Sequence, residues 1–170
     1  MRMPVIIAVF TLSSGIFSIL AVLNEQPAWS FVCLIVGILL NILGKKRNIV
    51  PAFAQSFCSL GELITFGTAP GIILFKLAFT PDSVIGGICV GLFVSSCALH
   101  LARRNLPING KDNKGMPVVL GGALVAAYAL FIGDFSIMLT ISFVLIMSIL
   151  IAVPFRKGKC KLERSIRKKT

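Results

Sequence analysis

The chain has 170 residues, 56% of them hydrophobic and 14% charged, with a mean hydropathy of +0.95. Soluble domains carry about 25% charged residues, so too little polar surface is present to cover a water-exposed globule, and the class that fits is an all-α polytopic membrane protein. A formal net charge of +11, from 17 Lys and Arg against 6 Asp and Glu, would suggest nucleic acid in a soluble chain. Here no aromatic residues interleave the basic runs and no soluble domain could hold a duplex, so nucleic acid is excluded as a partner.

About 20 apolar residues cross the hydrocarbon core of a bilayer. Six stretches are predicted to do so: 4–23, 28–44, 55–79, 83–102, 116–132 and 135–154. The first follows Arg2 and exceeds the roughly 7–15 apolar residues of a secretory signal, so it reads as a retained helix. "NEQP" breaks it from the second, and "KKRNIVPAFA" separates the second from the third. Within the third, Gly67 and Pro70 predict a kink, because Pro removes a backbone hydrogen bond. "TPD" leads to the fourth, the polar run "RRNLPINGKDNKG" to the fifth, and a tight "GD" turn to the sixth. The glycine pairs at 86–87 and 121–122 suit close helix packing. Five cysteines, 33, 58, 89, 97 and 160, have no CxxC pairing, which argues against a disulfide framework or a zinc site.

The cations fall on one side of this topology. Arg2 precedes the first helix, and Lys45, Lys46 and Arg47 follow the second. Arg103, Arg104, Lys111 and Lys114 lie between the fourth and fifth, and eight more, from Arg156 to Lys169, follow the sixth. The opposite side carries Glu25, Asp82 and Asp134, with Lys76 able to snorkel its ammonium to that interface. Cytoplasmic loops hold the Lys and Arg excess, so six spans with both termini cytoplasmic, in the cell membrane, are expected. Residues 1–155 form the membrane domain and 156–170 a basic cytoplasmic tail. That tail is either a solvated positive-inside segment or a contact for an anionic leaflet, at about 1 kcal/mol per basic residue near the surface.

Against this background, "SLGELITFGTAPG" (residues 59–71) resembles the third-helix segment of the CDP-alcohol phosphatidyltransferase family, most like its bacterial phosphatidylserine synthases. The family stretch has the form DSLADxVSFGxAP. Ser59, Leu60, Phe66, Gly67, Ala69 and Pro70 match it, with Glu62 in place of an Asp and Thr65 in place of a Ser. "LARRN" (Leu101–Asn105) is similar to the family's RLARFN, and "GMPVV" (Gly115–Val119) to its GxPxP. The resemblance covers roughly residues 4–158.

The resemblance also implies a catalytic signature, D-x2-D-G-x2-A-R-x8-G-x3-D-x3-D, whose aspartates bind Mg²⁺ or Mn²⁺ and whose last carboxylate is the proposed base. Anchored on Glu62 without a gap, the other metal positions fall on Gly37, Leu40 and Cys58, and the Ala-Arg pair on Gly44 and Lys45. Of the carboxylates only the last survives, as Glu62. Hard cations need oxygen ligands; Leu40 offers no donor and Cys58 is a soft one. No metal and no cofactor is therefore expected, and Cys58 reads as a packing residue or, less simply, as half of a softer two-ligand site.

Glu62 is then either a relic acid, wetted by water or paired with Lys45 or Lys46, or a retained polar group, since an ionisable residue at membrane depth is a functional candidate. Lys45 and Arg103 are candidates for binding a phosphate-bearing lipid head group, or are ordinary positive-inside residues. His100 stands where the family has Arg and reads as a packed interfacial side chain. The function expected is that of a catalytically inactive, phosphatidylserine synthase-like protein. It would bind membrane lipid, such as CDP-diacylglycerol or an anionic phospholipid, or pair as a homodimer or with an active family member. A divergent, still active phosphatidyltransferase and a small transporter are the alternatives.

Overall fold

A computed structural model describes residues 2–45, 52–80, 83–105, 116–131 and 137–153, all helix and short connections, with no strand among them. The helices are α1 (Arg2–Leu23), α2 (Pro27–Lys45), α3 (Ala52–Leu63), α4 (Ala69–Ala78), α5 (Val84–Asn105), α6 (Val118–Leu130) and α7 (Ile137–Ala152). A π-helical turn, Ile64–Thr68, joins α3 to α4, so the two make one rod and the described residues form six. The basic tail from residue 156 lies outside the described residues.

Four of the rods are long and apolar enough to cross a membrane: Val5–Leu23, Pro27–Gly44, Ala54–Ala78 and Val84–Asn105. The last two, α6 and α7, are apolar but have 13 and 16 residues, about 20 and 24 Å at 1.5 Å per residue. Pro117, extended at φ −63°, ψ 133°, caps the start of α6, and Phe131 leaves helical geometry at its end. Within the predicted spans 116–132 and 135–154, residues 116, 117 and 131 thus lie outside α6 and residue 153 outside α7. Elsewhere helix runs longer than expected, most consequentially in α5. Its predicted end at residue 102 moves to Asn105, because Arg is a good helix former and a cation is favoured in the last turn.

α1 and α2 form a tight hairpin. Gln26 N–H bonds to Ala21 O at 3.0 Å and Glu25 N–H to Val22 O at 3.2 Å, closing α1 in a Schellman motif. Glu25 takes the left-handed position at φ 62°, and Pro27, whose fixed φ suits a first turn, starts the next helix. Helices gain little hydrophobic drive for association inside a bilayer, so hydroxyl contacts and small residues have to join them. The hairpin has both. Ser30 Oγ donates to Ser18 O at 2.7 Å, Ser18 Oγ to Ser30 O at 3.0 Å, and Ser14 Oγ to Cys33 O.

The π turn is the hub of the bundle. Thr65 and Phe66 are 0% and 1% exposed, and Thr65 Oγ1 donates to Thr11 O of α1 at 2.8 Å. Three glycines receive the turn. A Cβ on Gly15 would stand 2.5 Å from Thr65 Oγ1, one on Gly37 2.8 Å from Thr65 Cγ2, and one on Gly122 2.1 Å from the Phe66 carbonyl oxygen. Pro70 lies at the start of α4 and has no N–H to give that carbonyl in the next turn. The kink expected from Gly67 and Pro70 is therefore realised as a π turn, with α1, α2 and α6 docked against it. Of the paired glycines, Gly86, Gly121 and Gly122 pack closely, whereas Gly87 has nothing within 4 Å.

Gly122→Ala should lower the melting temperature in detergent by several degrees, since overpacking against fixed backbone costs roughly 1–3 kcal/mol. Gly87→Ala should leave it level or raise it slightly. Equal melting of the two variants would contradict the docking of α6 on the Phe66 carbonyl.

Candidate functional site

Glu62 sits in the last turn of α3, two turns inside the span that begins at Ala54. It is 4% exposed, and both carboxylate oxygens are engaged. Asn41 Nδ2, from the last turns of α2, donates to Oε1 at 2.9 Å. Arg104 Nη1, from the last turn of α5, lies 2.8 Å from Oε2. That oxygen receives no well-directed hydrogen bond, so the guanidinium acts on it mainly through charge. The Arg104 side chain is 39% exposed, so the ion pair lies between a buried acid and a partly solvated guanidinium. Asn41 Oδ1 is buried and finds no hydrogen-bond donor among the described residues.

A second polar layer lies one turn before Glu62. Ser59 Oγ is 3.0 Å from Asn105 Nδ2 and bonds to the Gln55 carbonyl at 3.1 Å. Arg104 Nη2 reaches the same hydroxyl at 3.4 Å, and Gln55 Nε2 reaches Asn105 Oδ1 at 3.4 Å. Helical spacing explains the grouping: residues 55, 59 and 62 lie on one face of α3, turned toward the end of α5. Cys58 is half-buried next to this face as a free thiol.

Adjacent arginines take different paths because successive helical residues point about 100° apart. Arg103 Nη1 donates to Ala152 O at 2.6 Å, satisfying a carbonyl at the C-terminal end of α7, where cations are favoured. His100, one turn earlier, is half-buried with its ring beside the Ile151 backbone. Together they tie α5 to α7, which agrees with the packed, interfacial reading of His100. Arg104, which sequence reasoning listed only among the cytoplasmic cations, is the residue that meets Glu62. Lys45 ends α2, and its side chain, like Lys46, lies outside the described residues. The partner expected for Glu62 was Lys45 or Lys46; the described partner is Arg104. The predicted end of the fourth helix at residue 102 hid this, because it left both arginines in a loop without a fixed direction.

The donor set does not suit a hard divalent cation. Gly37 has no side chain, and the space for one is filled by Thr65 Cγ2. Leu40 has no donor, Cys58 is a soft ligand, and Glu62 already has a guanidinium and an amide on its two oxygens. No group of three or more His, Cys, Asp or Glu side chains converges among the described residues. What this arrangement can do is hold a buried carboxylate fixed between three helices.

Two curated proteins resemble the chain over most of its length. An archaetidylserine synthase of Methanothermobacter thermautotrophicus is 28% identical over 160 residues, covering 86% of this chain and 68% of the relative. A CDP-diacylglycerol–serine O-phosphatidyltransferase of Methanocaldococcus jannaschii is 25% identical over 127 residues, covering 75% of this chain and 61% of the relative. Homology to these two supports the CDP-alcohol phosphatidyltransferase family for this chain. No family model matches it, and no solved structure does. The names of these relatives agree with the resemblance carried by residues 59–71 and with its phosphatidylserine synthase-like reading.

Proposed function

We propose that this chain is a phosphatidylserine synthase-like membrane protein of phospholipid biosynthesis that has lost metal-dependent phosphatidyl transfer and works by binding lipid. The observation that carries this reading is the state of Glu62. The acid at the family's base position is turned to Arg104 and Asn41, and the positions of the other metal carboxylates hold Gly37, Leu40 and Cys58. Displacing CMP from CDP-diacylglycerol develops negative charge on phosphate oxygens, which divalent ions neutralise in such reactions; here the ligands for them are missing. Recognition of an anionic head group needs less, and cations at the cytoplasmic helix ends can supply it. Lys45 and Arg103 are the candidates, Arg103 with its remaining guanidinium donors beyond the bond to Ala152 O. CDP-diacylglycerol or an anionic phospholipid is the ligand class, and pairing with a second copy or an active family enzyme is the accompanying partner proposal.

The names of the relatives favour a second reading, a divergent transferase that is still active. CMP release from CDP-diacylglycerol in mixed micelles separates the two. With Mn²⁺ or Mg²⁺ and serine, glycerol 3-phosphate or inositol as acceptor, we expect none from this protein and ready release from a family member with the complete signature. Metal-dependent release that Glu62→Gln abolishes would establish the transferase instead.

The accompanying topology has six spans, with the loops after α2 and α5 and both termini cytoplasmic. It rests on the one-sided distribution of Lys and Arg and on the four long apolar helices. In a cysteine-free background, Asp134→Cys should react with a membrane-impermeant maleimide in intact cells and Asn113→Cys only after permeabilisation. Labelling of both from outside would overturn it.

A further inference from the structure

The geometry points to Arg104 as the resident cation of this site: its guanidinium takes the place that divalent metal ions hold in the family, and turns a metal centre into a metal-independent clasp between α2, α3 and α5. Three observations converge. First, the carboxylate that remains is nine-tenths buried and would be costly to leave without a counter-charge. Second, the counter-charge present is the chain's own, 2.8 Å from Oε2, while Asn41 occupies Oε1 at 2.9 Å. Third, the other positions of the family's ligand shell offer a hard ion nothing: Thr65 fills the space at Gly37, Leu40 carries no donor, and Cys58 has only a soft thiol.

One guanidinium can replace a metal ion as a charge partner but not as a reaction centre. It has no open coordination position at which to polarise a phosphate as a Lewis acid, whereas a metal ion has. Arg is suited to the structural task because it remains protonated and carries several donors, and Arg104 uses them. Nη1 faces Glu62 and Nη2 reaches Ser59 Oγ at 3.4 Å, which is in turn bonded to Asn105. The clasp thereby joins the C-terminal ends of α2 and α5 to the middle of the α3–α4 rod, just before the π turn on which α1, α2 and α6 dock. This inference rests on residues 41, 62 and 104 and holds whichever lipid the protein binds.

Thermal unfolding of the full-length protein in detergent tests it. The wild-type melting temperature should be the same in EDTA and in millimolar Mn²⁺. Arg104→Gln should melt at least about 5 °C lower, because it strands a buried carboxylate. Glu62→Gln should cost less, since the partly exposed Arg104 can turn to water. The double variant should melt above Arg104→Gln, a non-additivity that an arginine acting independently of Glu62 would not show. If Arg104→Gln fails to accumulate, recovery of folded protein in the double variant carries the same information. A wild-type melting temperature that rises with Mn²⁺ and falls with EDTA would overturn the inference, as would losses in the double variant equal to the sum of the singles.

Discussion

A carboxylate held inside an apolar bundle sets the terms for this protein. Taking a charge out of water costs several kcal/mol even after relaxation, and Glu62 is 4% exposed. It can stay there only because two other helices bring Arg104 and Asn41 to its oxygens. That requirement fixes where α2 and α5 must end relative to α3, and it makes the half of the bundle that holds those helix ends a polar assembly in which each partner depends on the others. The opposite half is joined differently, by the serine pair of the α1–α2 hairpin and by glycines packed against bulky side chains.

The two halves meet at the π turn. Such a turn inserts one residue into the helical ladder, and here it is fixed by Thr65 bonding to Thr11 O and by Gly15, Gly37 and Gly122 lying against it. Gly37 links this architecture to the proposed loss of metal chemistry. It stands where the family signature has its first metal-binding aspartate, and its missing side chain now makes room for the Thr65 methyl. An acid restored at that position would have to displace the hub of the bundle. Position 37 is thus part of the packing of the π turn.

Much of this was legible in the sequence. The all-helical membrane class followed from composition, the helix order from apolar runs and their polar breaks, and the family resemblance from residues 59–71, because these signals are local. Glu62 stood out as the acid inside a span. Its partner did not, since residues 62 and 104 are 42 positions apart and their meeting depends on α5 continuing through "ARRN" instead of fraying at residue 102. One more turn of helix gives Arg103 and Arg104 separate directions, one to α7 and one to α3. Attention to good helix formers just before Leu106-Pro107, where a following proline tends to end a helix, is the signal that would have found it. The π turn was readable only as a kink at Gly67 and Pro70. Which carbonyls it exposes, and which helices dock on them, are facts of tertiary packing.

The central claim is that the charge once supplied by metal ions is now supplied by the chain. Its most direct test is a count of Mn²⁺ bound, by electron paramagnetic resonance of the free ion, for this protein and for a family member with the complete signature in the same detergent. The account predicts no site on this protein that Glu62→Gln removes, beside clear binding by the relative. Stoichiometric Mn²⁺ binding by this protein, lost in Glu62→Gln, would contradict it.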